Sequence, residues 1–207
     1  HTAVPPPPGA RLPDAELPVY SVLVALYREA GVLPDLIGAL SALDYPAAKL
    51  DVILALEHDD QATVAAAVAL ELPGFVRLVQ VPPADPRTKP KALNYALQMA
   101  RGEYVVIYDA EDVPEPDQLR QALAAFRDGD ERLVCVQARL NIHNHDASWL
   151  ARQFTLEYSA LFDAMLPALS RFGLPVPLGG TSNHFRRCVL EAAGGWDPFN
   201  VTEDADL

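Results

Sequence analysis

The sequence predicts an α/β fold, a Rossmann-like, mostly parallel sheet with helices on both faces. Two features predict it. Short apolar, β-branched runs alternate at least four times with segments whose apolar residues recur at helical spacing. Half of the 207 residues are hydrophobic, which suits one sizeable core and excludes disorder for most of the chain. In such a fold ligands bind beyond the carboxyl ends of the strands, so the residues just after each strand are where chemistry is expected.

Residues 1–18 carry prolines at 5–8 and 13 around Gly9, and predict an extended lead-in rather than a packed element; residues 19–207 form one domain. Residues 19–26 (VYSVLVAL) read as a buried strand and 29–43 as a helix ending at Asp44-Tyr45-Pro46. A second strand covers 50–56. The Ala-rich stretch 60–70 is a helix stopped by Pro73-Gly74, and 75–81 is a third strand ended by Pro82-Pro83. A loop over 82–88 leads to a helix at 90–100, with Pro90 tolerated in its first turn. Residues 104–108 (YVVIY) are the plainest strand of all. A helix at 116–126, a strand at 133–139 and a long helix at 147–166 follow. The long helix carries Trp149, Phe154, Tyr158 and Phe162 at roughly four-residue spacing, which reads as core packing. Residues 167–178 read as irregular, and 189–193 as a short helix stopped by Gly194-Gly195.

The formal net charge of −12 argues against nucleic-acid partners, which demand Lys and Arg. Cys135 and Cys188 form no CxxC pair and read as buried free thiols of a reducing compartment, not as a zinc site. No apolar stretch approaches the ~18 residues that span a bilayer, and no signal-peptide pattern opens the chain. The start at His1 and the end at Leu207, just after a motif, predict a piece cut from a longer protein.

Three acidic clusters stand where ligands are expected: Glu57-His58-Asp59-Asp60, Asp109-Ala110-Glu111-Asp112, and Glu203-Asp204 with Asp206. For the first cluster alone, solvated surface acids explain the pattern equally well. In the second, three acids within four residues repel one another, and a divalent cation with carboxylate and phosphate ligands relieves that repulsion. Lys89 and Lys91 open a helix, where the macrodipole disfavours cations unless an anion sits between them. A phosphate contact fits that arrangement better than two solvated lysines. Gly179 to Asn183 read as a turn on their own. No P-loop and no GxGxxG exist, so ATPase and dinucleotide readings have no motif. His143, His145 and His184 lack metal spacing and read as ordinary loop or core residues.

Taken in order, these segments resemble the GT-A catalytic domain of family 2 glycosyltransferases, in particular the membrane-embedded, cellulose-synthase-like branch, over residues 18–207. VLVALYREA resembles the opening strand and turn that hold the nucleotide base, with Ala25 in place of the usual Pro and Arg28 in place of Asn. The resemblance thus implies donor contacts from Ala25, Tyr27 and Glu29. LEHDD falls where the family binds uracil and ribose, implicating Glu57 or Asp59. TKPKALNYAL puts Lys89 near the donor diphosphate. YDAEDVPEPDQL resembles the metal-binding D-x-D, with Asp109, then Glu111 or Asp112, holding Mg²⁺ or Mn²⁺; Asp109 also contacts the donor. GGTSNHFRR implies acceptor contacts from Gly180, Thr181 and Ser182. In GGWDPFNVTEDADL, Thr202, Glu203 and Asp204 match the T-E-D motif, with Asp204 as the general base.

The resemblance implies inverting, metal-dependent transfer of a sugar from a nucleotide-sugar donor, a UDP-sugar, to a glycan acceptor in polysaccharide synthesis. The family's Q-x-x-R-W motif and its transmembrane helices would lie beyond Leu207. Membrane attachment, at the cytoplasmic face of the inner membrane, is thus implied only for the parent protein. Two rivals remain: a sugar-nucleotide pyrophosphorylase, which would show a Gly-rich, Arg-containing loop where this chain has ALYREAG, and a non-catalytic sugar-nucleotide-binding module.

Overall fold

The computed structural model describes residues 12–140 and 148–200. Its strands are β1 (Tyr20–Leu26), β2 (Leu50–Glu57), β3 (Val76–Val81), β4 (Tyr104–Tyr108), β5 (Cys135–Gln137) and β6 (Asn183–Arg186). They form one sheet in the order β3-β2-β1-β4-β6-β5. Strands β1 to β4 run parallel, and β6 is antiparallel to both β4 and β5. The α-helices are α1 (Leu33–Ser41), α2 (Gln61–Ala69), α3 (Lys89–Leu97), α4 (Gln118–Asp128), α5 (Trp149–Ser159), α6 (Leu166–Arg171) and α7 (Arg187–Ala193).

Strands β2 and β4 are buried along their whole length, and β1 almost so, which is why they read as continuous apolar runs. Alternate side chains feed two cores. Tyr20, Val22, Val24 and Leu26 pack with Leu36 and Leu40 of α1 and with Leu119, Leu123 and Phe126 of α4. Leu23 and Ile53 pack on the other face with Leu93 and Ala96 of α3 and Leu190 of α7. The expected covering of both faces is therefore present. Register does the rest: Leu26 pairs with Leu56 and Val24 with Tyr108, so Tyr27, Glu57 and Asp109 leave the sheet at one edge.

Several expectations need correction. The polar stretch read as a turn runs at Asn183 into β6, a strand hidden by its composition, because Asn183 and His184 are polar yet buried. The long helix does not stop at 166. A wide π turn (Ala160–Met165) leads into α6, where Pro167 sits in the first turn and no donor is needed. Of the helix aromatics, Phe162 is buried, but Trp149 is 73% and Phe154 45% exposed; both cores are complete without α5. Cys188 is exposed rather than buried. Residues 12–18 are tied down rather than loose: Leu17 is buried, Lys49 donates to the Ala15 and Leu17 carbonyls (2.6 Å each), and Tyr45 donates to the Pro18 carbonyl.

One glycine is set by a close approach. The Gly102 amide donates to the Ser21 hydroxyl (2.9 Å), which donates to buried Asp51 (2.7 Å). A Cβ at Gly102 would lie 2.5 Å from the Ser21 nitrogen and 2.6 Å from the Tyr104 carbonyl oxygen, backbone atoms of β1 and β4. Neither can yield. Gly102→Ala is expected to cost about 1–3 kcal/mol or more in urea denaturation; wild-type stability would contradict this packing.

Beneath α4, His184 is fully buried, with the Tyr20 hydroxyl 2.8 Å from Nδ1 and the Tyr20 and Tyr108 rings edge-on to it. Burial holds its pKa down at about 3. The unfolded chain takes up a proton below the ordinary histidine value of about 6.5, whereas the folded chain does not. Stability therefore falls as pH drops from about 6.5 toward 3, by up to about 1.4 kcal/mol per pH unit. His184→Gln is expected to flatten the stability difference between pH 7 and pH 5 measured by chemical denaturation.

Candidate functional site

At the carboxyl edge of β1, β2 and β4 lies a cavity of about 440 Å³, lined by Ala25, Leu26, Tyr27, Glu29, Glu57, Arg87, Thr88, Lys89, Ala92, Asp109, Ala110 and Glu111. It brings together seven residues singled out from the sequence: Ala25, Tyr27, Glu29, Glu57, Lys89, Asp109 and Glu111. Asp59 stands at the rim, paired with Arg87 at 2.7 Å.

The turn after β1 is held from α2. Arg28 adopts a left-handed backbone (φ 62°), strained for a residue with a Cβ, and its amide donates to Asp60 at 2.5 Å. Asp60 also caps α2 by accepting from the Thr63 amide, and the Glu29 amide donates to the Thr63 hydroxyl (3.1 Å). These contacts fix the direction of Tyr27, whose ring has the Arg28 guanidinium 5.0 Å and the Arg87 guanidinium 5.9 Å from its centroid. They also explain why α1 begins at Leu33 rather than at residue 29.

Charge is arranged as pairs across the cavity. Lys89 Nζ lies 2.5 Å from Asp109 Oδ1 and 2.7 Å from the Gly180 carbonyl oxygen. Lys91 Nζ lies 2.9 Å from the Glu57 carboxylate. Together with Arg87, three cations of residues 87–91 each meet an acid at the end of β2 or β4. The cavity's cationic wall is therefore compensated by its own acids, and an incoming anion must compete for those cations. Lys89 and Asp109 are about one-third exposed, so this pair is open to exchange.

The three acids of the second cluster point to different tasks. Asp109 and Glu111 line the cavity. Asp112 turns away from it, accepting from the Asp109 amide (2.7 Å) and from the Thr181 hydroxyl. Burial pushes its carboxyl above the ordinary carboxylate range, offset in part by those hydrogen bonds. Among the described residues, no three His, Cys, Asp or Glu side chains cluster as a metal site. Asp109 and Glu111 nonetheless offer two hard oxygen donors on one turn, the number Mg²⁺ takes from protein when phosphates and waters complete its shell.

Of the residues implied at the acceptor end, Gly180 presents its carbonyl to Lys89, while Thr181 and Ser182 are buried behind the wall and line no part of the cavity. Glu203 and Asp204 lie outside the described residues. Sequence reasoning missed Arg87 and Thr88, which sit in an aperiodic loop, and the capping task of Asp60; the Asp-x-x-Thr spacing ahead of an Ala-rich run was the available signal.

Comparison with known proteins fits this geometry. The family model described as glycosyltransferase like family 2 matches residues 18–207. The chain is 25% identical over 194 residues to the probable glycosyltransferase YdaM of Bacillus subtilis, covering 93% of this chain and 46% of that protein. It is 30% identical over 208 residues to glucomannan 4-beta-mannosyltransferase 2 of Arabidopsis thaliana, covering 95% and 38%. The chain thus spans less than half the length of these curated relatives. Among solved structures, the mannosyltransferase PcManGT from Pyrobaculum calidifontis, in complex with GDP-Man and Mn²⁺, superposes with a TM-score of 0.67 at 24% identity, over 93% of this chain and 51% of that one. S. aureus TarS in complex with UDP-GlcNAc superposes at 0.55 and 16% identity, over 90% and 51%. These likenesses establish the GT-A fold. No described helix is long and apolar enough to cross a membrane. With its sheet, its strand-edge cavity and a family match from residue 18 to the last residue, the chain belongs to the glycosyltransferase-like family 2.

Proposed function

We propose that this chain binds a nucleotide-sugar, a UDP-sugar, and transfers its sugar with inversion to a hydroxyl of a growing glycan. The observation that carries the proposal is the Lys89–Asp109 pair at the carboxyl edge of the sheet, with Glu111 beside it in one cavity. There a diphosphate displaces Asp109 from Lys89 and takes the amine as its counter-charge. Tyr27, 39% exposed in the cavity lining, offers the base an aromatic surface. Glu57 and Asp59 stand at the ribose end, and Ala25 and Glu29 complete the base side.

Asp109 and Glu111 would hold Mg²⁺ or Mn²⁺, which when bound neutralises charge on the leaving diphosphate. Asp112 and Thr181 keep that turn in place. Gly180 lies toward the acceptor, and Ser182 anchors the same segment through its amide on the Ile107 carbonyl (2.8 Å). Asp204, seconded by Glu203, accepts the acceptor hydroxyl proton as that oxygen attacks the anomeric carbon and the sugar–phosphate bond breaks on the opposite side. We place this reaction in polysaccharide synthesis at the cytoplasmic face of the inner membrane.

The test is calorimetric. UDP is expected to bind at least about tenfold more weakly in excess EDTA than with Mn²⁺; equal affinity would remove the metal role of Asp109 and Glu111. Release of UDP from a UDP-sugar in the presence of a glycan primer supports transfer, whereas release of pyrophosphate from a nucleoside triphosphate and a sugar phosphate would indicate a pyrophosphorylase.

A further inference from the structure

Lys89 stands between two tasks of the donor cavity, holding a diphosphate and holding a metal. It opens α3 within reach of the end of β4, and its Nζ lies 2.5 Å from Asp109 Oδ1. The Gly180 carbonyl accepts from the same amine at 2.7 Å, so the ammonium is held against the carboxylate from two sides. The neighbouring cations are engaged elsewhere. Arg87 pairs with Asp59 (2.7 Å) and Lys91 with Glu57 (2.9 Å). Asp112 turns its carboxylate to the Asp109 amide and the Thr181 hydroxyl. Among the described residues no cation pairs with Glu111. Of the three acids on this turn, one is thus held by a lysine, one by the turn itself, and one is open.

Two cations cannot share Asp109 on equal terms. A divalent ion on either oxygen of that carboxylate faces the ammonium at close range, and like charges so placed repel. Glu111 alone offers a single carboxylate, too little to draw a reluctantly dehydrated Mg²⁺ out of water. An incoming diphosphate changes both terms. It gives the amine another anion, and it brings oxygens of its own to the metal. The side chains of Lys89 and Asp109 are 29% and 35% exposed, so the amine can change partners without leaving a buried charge unpaired. The same exposure screens the repulsion, so the effect is a lowered affinity for the metal, not its exclusion.

We infer that Lys89 is an internal competitor of the metal: in the nucleotide-free chain its ammonium holds Asp109 and lowers the affinity of the site for a divalent cation, and a diphosphate admits the metal by taking the amine. The identity of the anion rests on the donor reading of this cavity; the competition between Lys89 and the cation does not. Metal and nucleotide are thereby coupled in both directions, because a ligand that tightens another is tightened by it to the same extent. The metal enters with the donor and is let go with the departing diphosphate.

The experiment is a Mn²⁺ titration of the nucleotide-free chain, read by calorimetry and by paramagnetic broadening of the Asp109 and Glu111 amide resonances. The broadening separates this turn from weak binding elsewhere on a chain of net charge −12. Lys89→Met is expected to bind Mn²⁺ at this turn at least about tenfold more tightly than wild type, a change of about 1.4 kcal/mol. Arg87→Met removes the same charge from the same cavity and is expected to stay within about threefold of wild type. Adding Asp109→Ala to Lys89→Met is expected to abolish the gain. Should Lys89→Met not fold, Lys89→Gln is expected to show the same gain. The inference is overturned if wild type and the Lys89 variants bind Mn²⁺ equally or not at all, if Arg87→Met gains as much, or if the gain survives Asp109→Ala. Failure of UDP to bind would count against the donor reading alone, because these titrations contain no nucleotide.

Discussion

Asp204→Asn is expected to leave UDP affinity unchanged and to lower the rate of sugar transfer by about 10²–10⁴-fold, the usual contribution of a positioned general base. The structural support lies just upstream. Trp196 is buried against Phe185, and its amide and carbonyl are both held by the side chain of Asn94 on α3 (3.0 and 2.6 Å). The Thr88 hydroxyl donates to the Pro198 carbonyl (2.8 Å), one residue before Lys89. The segment entering the T-E-D motif is thereby fastened to the end of α3 that carries the donor-cavity lysine. From Asn200 to Asp204 is four residues, which extend at most about 14 Å. An isosteric amide cannot take the acceptor proton, but it keeps the shape of the side chain. Calorimetry with UDP and a rate assay on the same protein separate the two effects. A parallel loss of UDP binding would make Asp204 a donor ligand instead of the base.

How much of this was readable beforehand follows from what each residue meets. β1, β2 and β4 were legible because a strand buried on both faces must be apolar throughout. β6 was not, because its buried polar side chains find partners, Asn183 donating to the Gly179 carbonyl and His184 Nδ1 meeting the Tyr20 hydroxyl, and a polar strand looks like a loop. Acidic clusters could be found from the sequence, but the division of labour within them could not. Asp60 caps a helix, Asp112 braces a turn, and Asp109 faces the cavity, although all three are aspartates after a strand. What separates them is backbone direction, set by such details as the left-handed Arg28. The α5 aromatics failed for another reason: helical spacing shows that a stripe exists, not that this domain covers it. The partners of Lys89, Lys91 and Arg87 were equally invisible, since each bridges segments distant in sequence.

Asp109→Ala is expected to lower transfer by about 10²–10³-fold, the range seen when one preorganised group that stabilises transition-state charge is removed. Lys89→Met is expected to weaken UDP by about 10- to 100-fold, the worth of one charge-assisted hydrogen bond. The two changes need not add, because the residues touch. If the pair were only a structural tie, each single substitution would cost the fold about as much as the double one, and ligand binding would follow stability. If each residue faces the donor, Lys89→Met loses nucleotide affinity while its melting temperature stays near wild type, since an ion pair this exposed contributes little, about 0–1 kcal/mol. Asp109→Ala should also lose the Mn²⁺ dependence of UDP binding, which Lys89→Met should keep. Wild-type UDP affinity in Lys89→Met would break the link between this cavity and a diphosphate, and with it the case for the donor site.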